Sequence, residues 1–252
     1  MPSANVYPTG LNAKIRCIME PSTTIEIGNK LQSSELILKR LLICGLLAPL
    51  IYVVSDIISA AVWDSYSFTA QSVSELRAIG APTRLFLIPV LALYSLLEIA
   101  FGFGIRRMAG DNRALRITGV LLIGLGLIDT AAPFFPMHLR ENLQLSGGSF
   151  TDTMHIVITV VTVFFILLII GYGAAAHGTR FRFYSYATVL TFFVCGAWAF
   201  LDAPLIDANL PTPWLGVRER INIYCFMLWM AVLATVLLRT KKQESYDSRE
   251  MV

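Results

Sequence analysis

Ten ionisable side chains stand out in an otherwise apolar chain: Asp56, Glu75, Arg84, Asp129, His138, Asp152, His155, Asp202, Glu219 and Arg220. Acids, imidazoles and guanidinium groups around one cavity would grip a phosphate or carboxylate head group, or activate water. The ligand-binding set expected from these is Glu75, Arg84, Asp129, His155, Glu219 and Arg220. Asp152 and His155 lie three apart, so both face one side of a helix, and His138 is near enough in sequence to join them as an Asp/His/His zinc set. With only three histidines in the chain and no CxxC or CxxH spacing, zinc is the weaker alternative and no cofactor is expected. Asp152 directly before an apolar run is also an ordinary helix cap, accepting orphan backbone N–H groups. Glu219 suits a helix start without further function, whereas Arg218 and Arg220 oppose the helix dipole there. They call for a nearby anion: Glu75, Asp202, Asp207 or an anionic ligand.

The elements that must position these groups are set by the solvent. The chain has 252 residues, 56% hydrophobic and only 15% charged, against about 25% charged in soluble domains. A membrane-crossing helix needs about 20 apolar residues, and six such runs are present, near 41–63, 85–105, 117–135, 152–176, 184–201 and 217–239. The expected fold is all-α, a six-helix transmembrane domain over 39–240 between flexible cytosolic tails at 1–38 and 241–252. Lys39, Arg40, Arg106, Arg107, Arg113, Arg116, Arg180, Arg182, Arg239, Lys241 and Lys242 collect on one side. Basic residues mark the cytosolic face, so both termini are expected inside a plasma membrane and the polar platform outside. A net charge of +3 spread over loops argues against nucleic acid as a partner. Membrane lipid is the expected partner, with a small anionic or lipid ligand. The cysteines lie in apolar helices or the N-terminal tail, where disulfides are not expected.

Between the first two spans lies Ser72–Arg84, SVSELRAIGAPTR, a polar connector with a helix-breaking Gly80-Ala81-Pro82. Asp56, Asp129 and Asp202 follow one another at intervals of 73 residues, and three tandem helical hairpins are the simplest reading of that spacing. Asp56 and Asp129 each sit about seven residues from the outer end, roughly 10 Å deep. They would be neutral there, or ionised against Arg84, Arg218 or Arg220. Glu98 is assigned to the opposite half of the membrane, paired with a basic residue there or hydrogen-bonded between helices, and outside the platform.

The segments CGLLAPLIYVVSD, SVSELRAIGAPTR, FPMH, TMH and PTPWLGVRERINIY, in that order, resemble the six-helix membrane proteins catalogued as domain-of-unknown-function family 998. The resemblance covers about residues 40–240 and implies a shared set of polar segments at the platform. It implies no activity, and the long N-terminal tail departs from it. Four functions stay open: a binding protein for a small polar or lipid head-group ligand, a membrane-embedded lipid hydrolase or transferase using Asp129, His138 or His155, a transporter, and a structural membrane subunit.

Overall fold

The computed structural model describes the backbone of residues 21–146 and 148–250 and the side chains of 32–143 and 148–243. Most of the described residues are helical, and none lies in a strand. The helices are α1 (Pro21–Val62), α2 (Arg84–Met108), α3 (Arg113–Ala131), α4 (Arg140–Ser146), α5 (Phe150–Ala176), α6 (Thr179–Phe200), α7 (Ala203–Asp207) and α8 (Leu215–Glu250). Six segments are long and apolar enough to cross a membrane: Gln32–Val62, Arg84–Met108, Arg113–Phe134, Phe150–Ala176, Thr179–Asp207 and Leu215–Gln243. Their large apolar side chains point outward, as with Leu190 at 65% and Phe193 at 57% exposure. That is the arrangement expected where hydrocarbon is the solvent. The chain is a multi-pass membrane protein.

It divides after Leu38, and the fold described below is that of Lys39–Val252. Within the described residues of the two expected tails the backbone is helical, since α1 runs from Pro21 and α8 continues to Glu250. A helix once nucleated gains a hydrogen bond with each added residue, so polar flanks extend it readily. The expectations for residues 1–20 and 251–252 lie outside the described residues.

Glycine sets how the spans meet. A Cβ on Gly126 of α3 would lie 2.6 Å from the Ile99 side chain and 3.0 Å from the Ser95 carbonyl of α2. At Gly102 of α2 it would lie 2.8 Å from the Gly119 carbonyl of α3. These bare positions fix the register of the antiparallel α2–α3 pair. Gly45 lies against Phe101, and Gly104 against Leu41, holding α1 to α2. Other close pairs are α3 with α5, α5 with α6, and α6 with α8.

One end of the bundle carries three longer connectors, 63–83, 135–149 and 201–214, which pack together as a cap. Ala78 and Ala81 of the first, with Met137 and Leu143 of the second, form its apolar centre, and Trp63, Leu139 and Ile206 border it. At the opposite end the spans are linked by the tight turns 109–112 and 177–178, joined where Asn112 Nδ2 donates to the Ala176 carbonyl at 3.1 Å.

Candidate functional site

The cap is built outward from Ser72. Its hydroxyl accepts from the Glu75 amide at 3.2 Å while the Glu75 carboxylate accepts from the Ser72 amide at 2.7 Å, a reciprocal cap on the 3-10 turn Val73–Arg77. The same carboxylate, 0% exposed, accepts from Gln71 Nε2 and from Arg140 Nε and Nη2, the last two at 2.8 Å. Arg140 Nη1 continues to Thr212 Oγ1 at 3.2 Å, and that hydroxyl donates to the Ala70 carbonyl at 2.8 Å. Glu75 and Arg140 thus join all three connectors. The hydrogen bond to Glu75 holds the Arg140 guanidinium above its ordinary pKa. Ile79 N donates to the Met137 carbonyl at 2.8 Å, a further backbone link between the first two connectors.

Beneath the cap lies a second ion pair. Arg220 of α8 donates Nε to Asp56 Oδ2 at 2.8 Å and Nη2 to Asp56 Oδ1 at 3.1 Å. Its remaining N–H groups go to Tyr66 Oη at 3.0 Å, the Phe68 carbonyl at 2.7 Å and the Gly216 carbonyl at 3.3 Å. All five guanidinium donors are used. Tyr224 adds a hydrogen bond to Asp56 Oδ2, and the Phe68 ring lies 3.7 Å from the guanidinium carbon. Burial pushes the Tyr66 phenol up, so it keeps the proton it donates to the Ser72 carbonyl at 2.8 Å.

The other expected residues are gathered at the same end with separate partners. Glu219 Oε2 accepts from the Val73 amide at 2.7 Å. Arg84 Nη1 donates to the Arg77 carbonyl at 2.7 Å and reaches neither Asp56 nor Asp129. Arg218 pairs with Asp202. His155 Nδ1 lies 3.3 Å from the Phe135 carbonyl, which can only accept, so Nε2 takes the hydrogen bond of the Ser74 hydroxyl at 3.2 Å. Asp152 caps α5 together with Ser149 and accepts from the His138 amide at 2.7 Å and from its Nδ1 at 2.9 Å. His138, Asp152 and His155 therefore do not converge as the zinc set requires. Among the described residues no group of three or more His, Cys, Asp and Glu is placed to hold a metal ion.

Two features differ from the sequence expectation. Glu98, 0% exposed, lies beside Asp129, and its Oε1 is 3.5 Å from Tyr94 Oη. Side chains tilt toward their own helix N-terminus, so in an antiparallel pair that brings Ser95 against Gly126, Glu98 and Asp129 lean toward each other. Assigning them to opposite halves of the membrane by counting residues misses that lean. The second is Arg77, whose guanidinium makes no hydrogen bond or ion pair among the described residues. It lines a cavity of about 20 Å³ with Tyr52, Ser55, Asp56 and Leu87, and its charge acts on Asp129, His155 and Glu219. The polar groups of the cap end are together and bonded to one another, and the space that Arg77 lines among them is small. Asp56, Asp129 and Asp202, evenly spaced in sequence, meet respectively Arg220, Glu98 and Arg218, which are not equivalent partners.

A family model described as Protein of unknown function (DUF998) matches residues 46–236. No curated protein and no solved structure matches the chain.

Proposed function

The chain belongs to the DUF998 family, and from that premise we propose that its cap end binds a small polar or lipid head-group ligand, anchored by Arg77. The observation that carries this reading is the unpaired guanidinium beside a cavity, between groups whose own hydrogen bonds are made. Insertion of an arginine into a bundle is costly unless an acceptor meets it, and Arg77 has none among the described residues. A cavity of about 20 Å³ accommodates one water, so anything larger enters as connector 63–83 lifts. Glu219 and His155 hold the Val73 amide and the Ser74 hydroxyl of that connector, and Arg84 holds the Arg77 carbonyl. We place the cap outside the plasma membrane because the basic residues of the short turns gather at the other end.

Thermal unfolding of the detergent-purified protein with acetate, inorganic phosphate or glycerol phosphate tests the reading. A ligand bound only by the folded state raises the midpoint with concentration. The expected result is such a rise with at least one of the three, abolished in Arg77→Gln without loss of stability in the unliganded protein. No rise with any of them, or an equal rise in Arg77→Gln, defeats the assignment. The saturated bonding of Arg220, Asp56 and Glu75 favours a second reading, a structural membrane subunit, for which Arg77→Gln changes nothing. A hydrolase or transferase built on Asp129, His138 and His155 has less support, since each is engaged separately.

A further inference from the structure

The opposite end of the bundle holds a larger space that the cap-end reading does not involve. A groove of about 840 Å³ runs along α2, walled by Leu96, Ile99 and Phe103, with Arg106, Arg107 and Arg116 at its mouth. Leu96 and Phe103 are 61% and 49% exposed, so the wall faces out of the bundle. From Leu96 to Arg107 the helix rises about 16 Å, close to half of the roughly 30 Å hydrocarbon layer. The groove therefore has the depth of one leaflet, with its charges at the head-group level.

Its mouth is uniformly cationic, for none of the residues lining the groove is acidic. Arg106 makes no hydrogen bond among the described residues, and its stem packs over Gly119. Arg116 spends one Nη2 hydrogen bond on the Gly110 carbonyl and keeps Nε and Nη1. We propose that this groove seats one anionic phospholipid, its phosphate on Arg106 and Arg116 and an acyl chain along Leu96, Ile99 and Phe103. The two halves of the groove, a cationic rim on an apolar wall one leaflet deep, match the two halves of such a lipid. A free phosphate would satisfy the rim alone.

Native mass spectrometry of the full chain in detergent, titrated with phosphatidylglycerol or phosphatidylcholine, tests this. One phosphatidylglycerol should bind about tenfold or more tighter than phosphatidylcholine, since each basic residue at the head-group level adds attraction for an anionic lipid. Arg106→Gln/Arg116→Gln should remove that preference while keeping the stem of residue 106 over Gly119, and Arg106→Lys/Arg116→Lys should retain most of it. The exposed Arg116→Gln alone should move in the same direction. Arg180→Gln/Arg182→Gln, which alters the same end outside the groove, should leave it intact. Equal binding of the two lipids, equal loss in the Arg180/Arg182 variant, or displacement of the lipid by glycerol phosphate would overturn the proposal. None of these outcomes depends on Arg77 or on a cap-end ligand.

Discussion

Arg220 and Arg77 show two states of a guanidinium in a membrane bundle. Arg220 has every donor occupied and a carboxylate in bidentate contact, at 3% exposure for both partners. Removing one partner of a buried pair leaves an uncompensated charge and costs about 3–5 kcal/mol. Arg220→Ala and Asp56→Asn are therefore expected to lower stability by that order in denaturant unfolding, and Tyr224→Phe by about 1 kcal/mol, the net worth of one hydrogen bond. A loss under 1 kcal/mol for Arg220→Ala would show that the pair is not formed. The sequence did mark Arg218 and Arg220 as needing anions, because cations at a helix start oppose its dipole. It could not choose between Asp56 and the other acids, since the direction a side chain takes depends on how helices rotate against one another. Arg140 escaped notice as one more loop charge. The S-x-x-E pattern of Ser72–Glu75 was its only trace, a capping box whose carboxylate has lone pairs left for a cation.

At the scale of elements, α2 and α3 are registered by glycine. The sequence has Gly119, Gly124 and Gly126 in the third span, but the partners of Gly126, Ser95 and Ile99, are long-range facts. Gly126→Val is expected to cost at least about 1–3 kcal/mol, because overpacking here meets a backbone carbonyl as well as a side chain. Gly171→Ala, with open space around the added carbon, should be neutral or stabilising by up to about 1 kcal/mol. Thermal unfolding of the two variants side by side checks the contrast, and equal midpoints would refute the register. The same register explains why Glu98 meets Asp129, which counting residues from the outer rim could not reveal.

For the whole molecule, apolar runs of about 20 residues announce spans unambiguously, and all six were legible. The cap was legible only as a tendency of polar residues to gather at one end. That three connectors would be sewn together, leaving space for about one water, depends on contacts between residues as distant as Glu75 and Arg140. The two small helices within the connectors, α4 and α7, carry too little periodicity to be read beforehand. The equal spacing of three aspartates suggested a repetition that their partners do not share.

The account stands on the cap being held by Glu75 and Arg140, so their coupling free energy is its most direct measure. Glu75→Gln, Arg140→Gln and the double variant, compared by denaturant unfolding in one detergent, form the cycle. Contacting residues in one network couple by about 0.5–3 kcal/mol, whereas independent sites add to within about 0.5 kcal/mol. The bidentate geometry at 2.8 Å predicts the upper half of the coupled range, with the double variant much less damaged than the sum of the singles. Additive losses would contradict the cap as described.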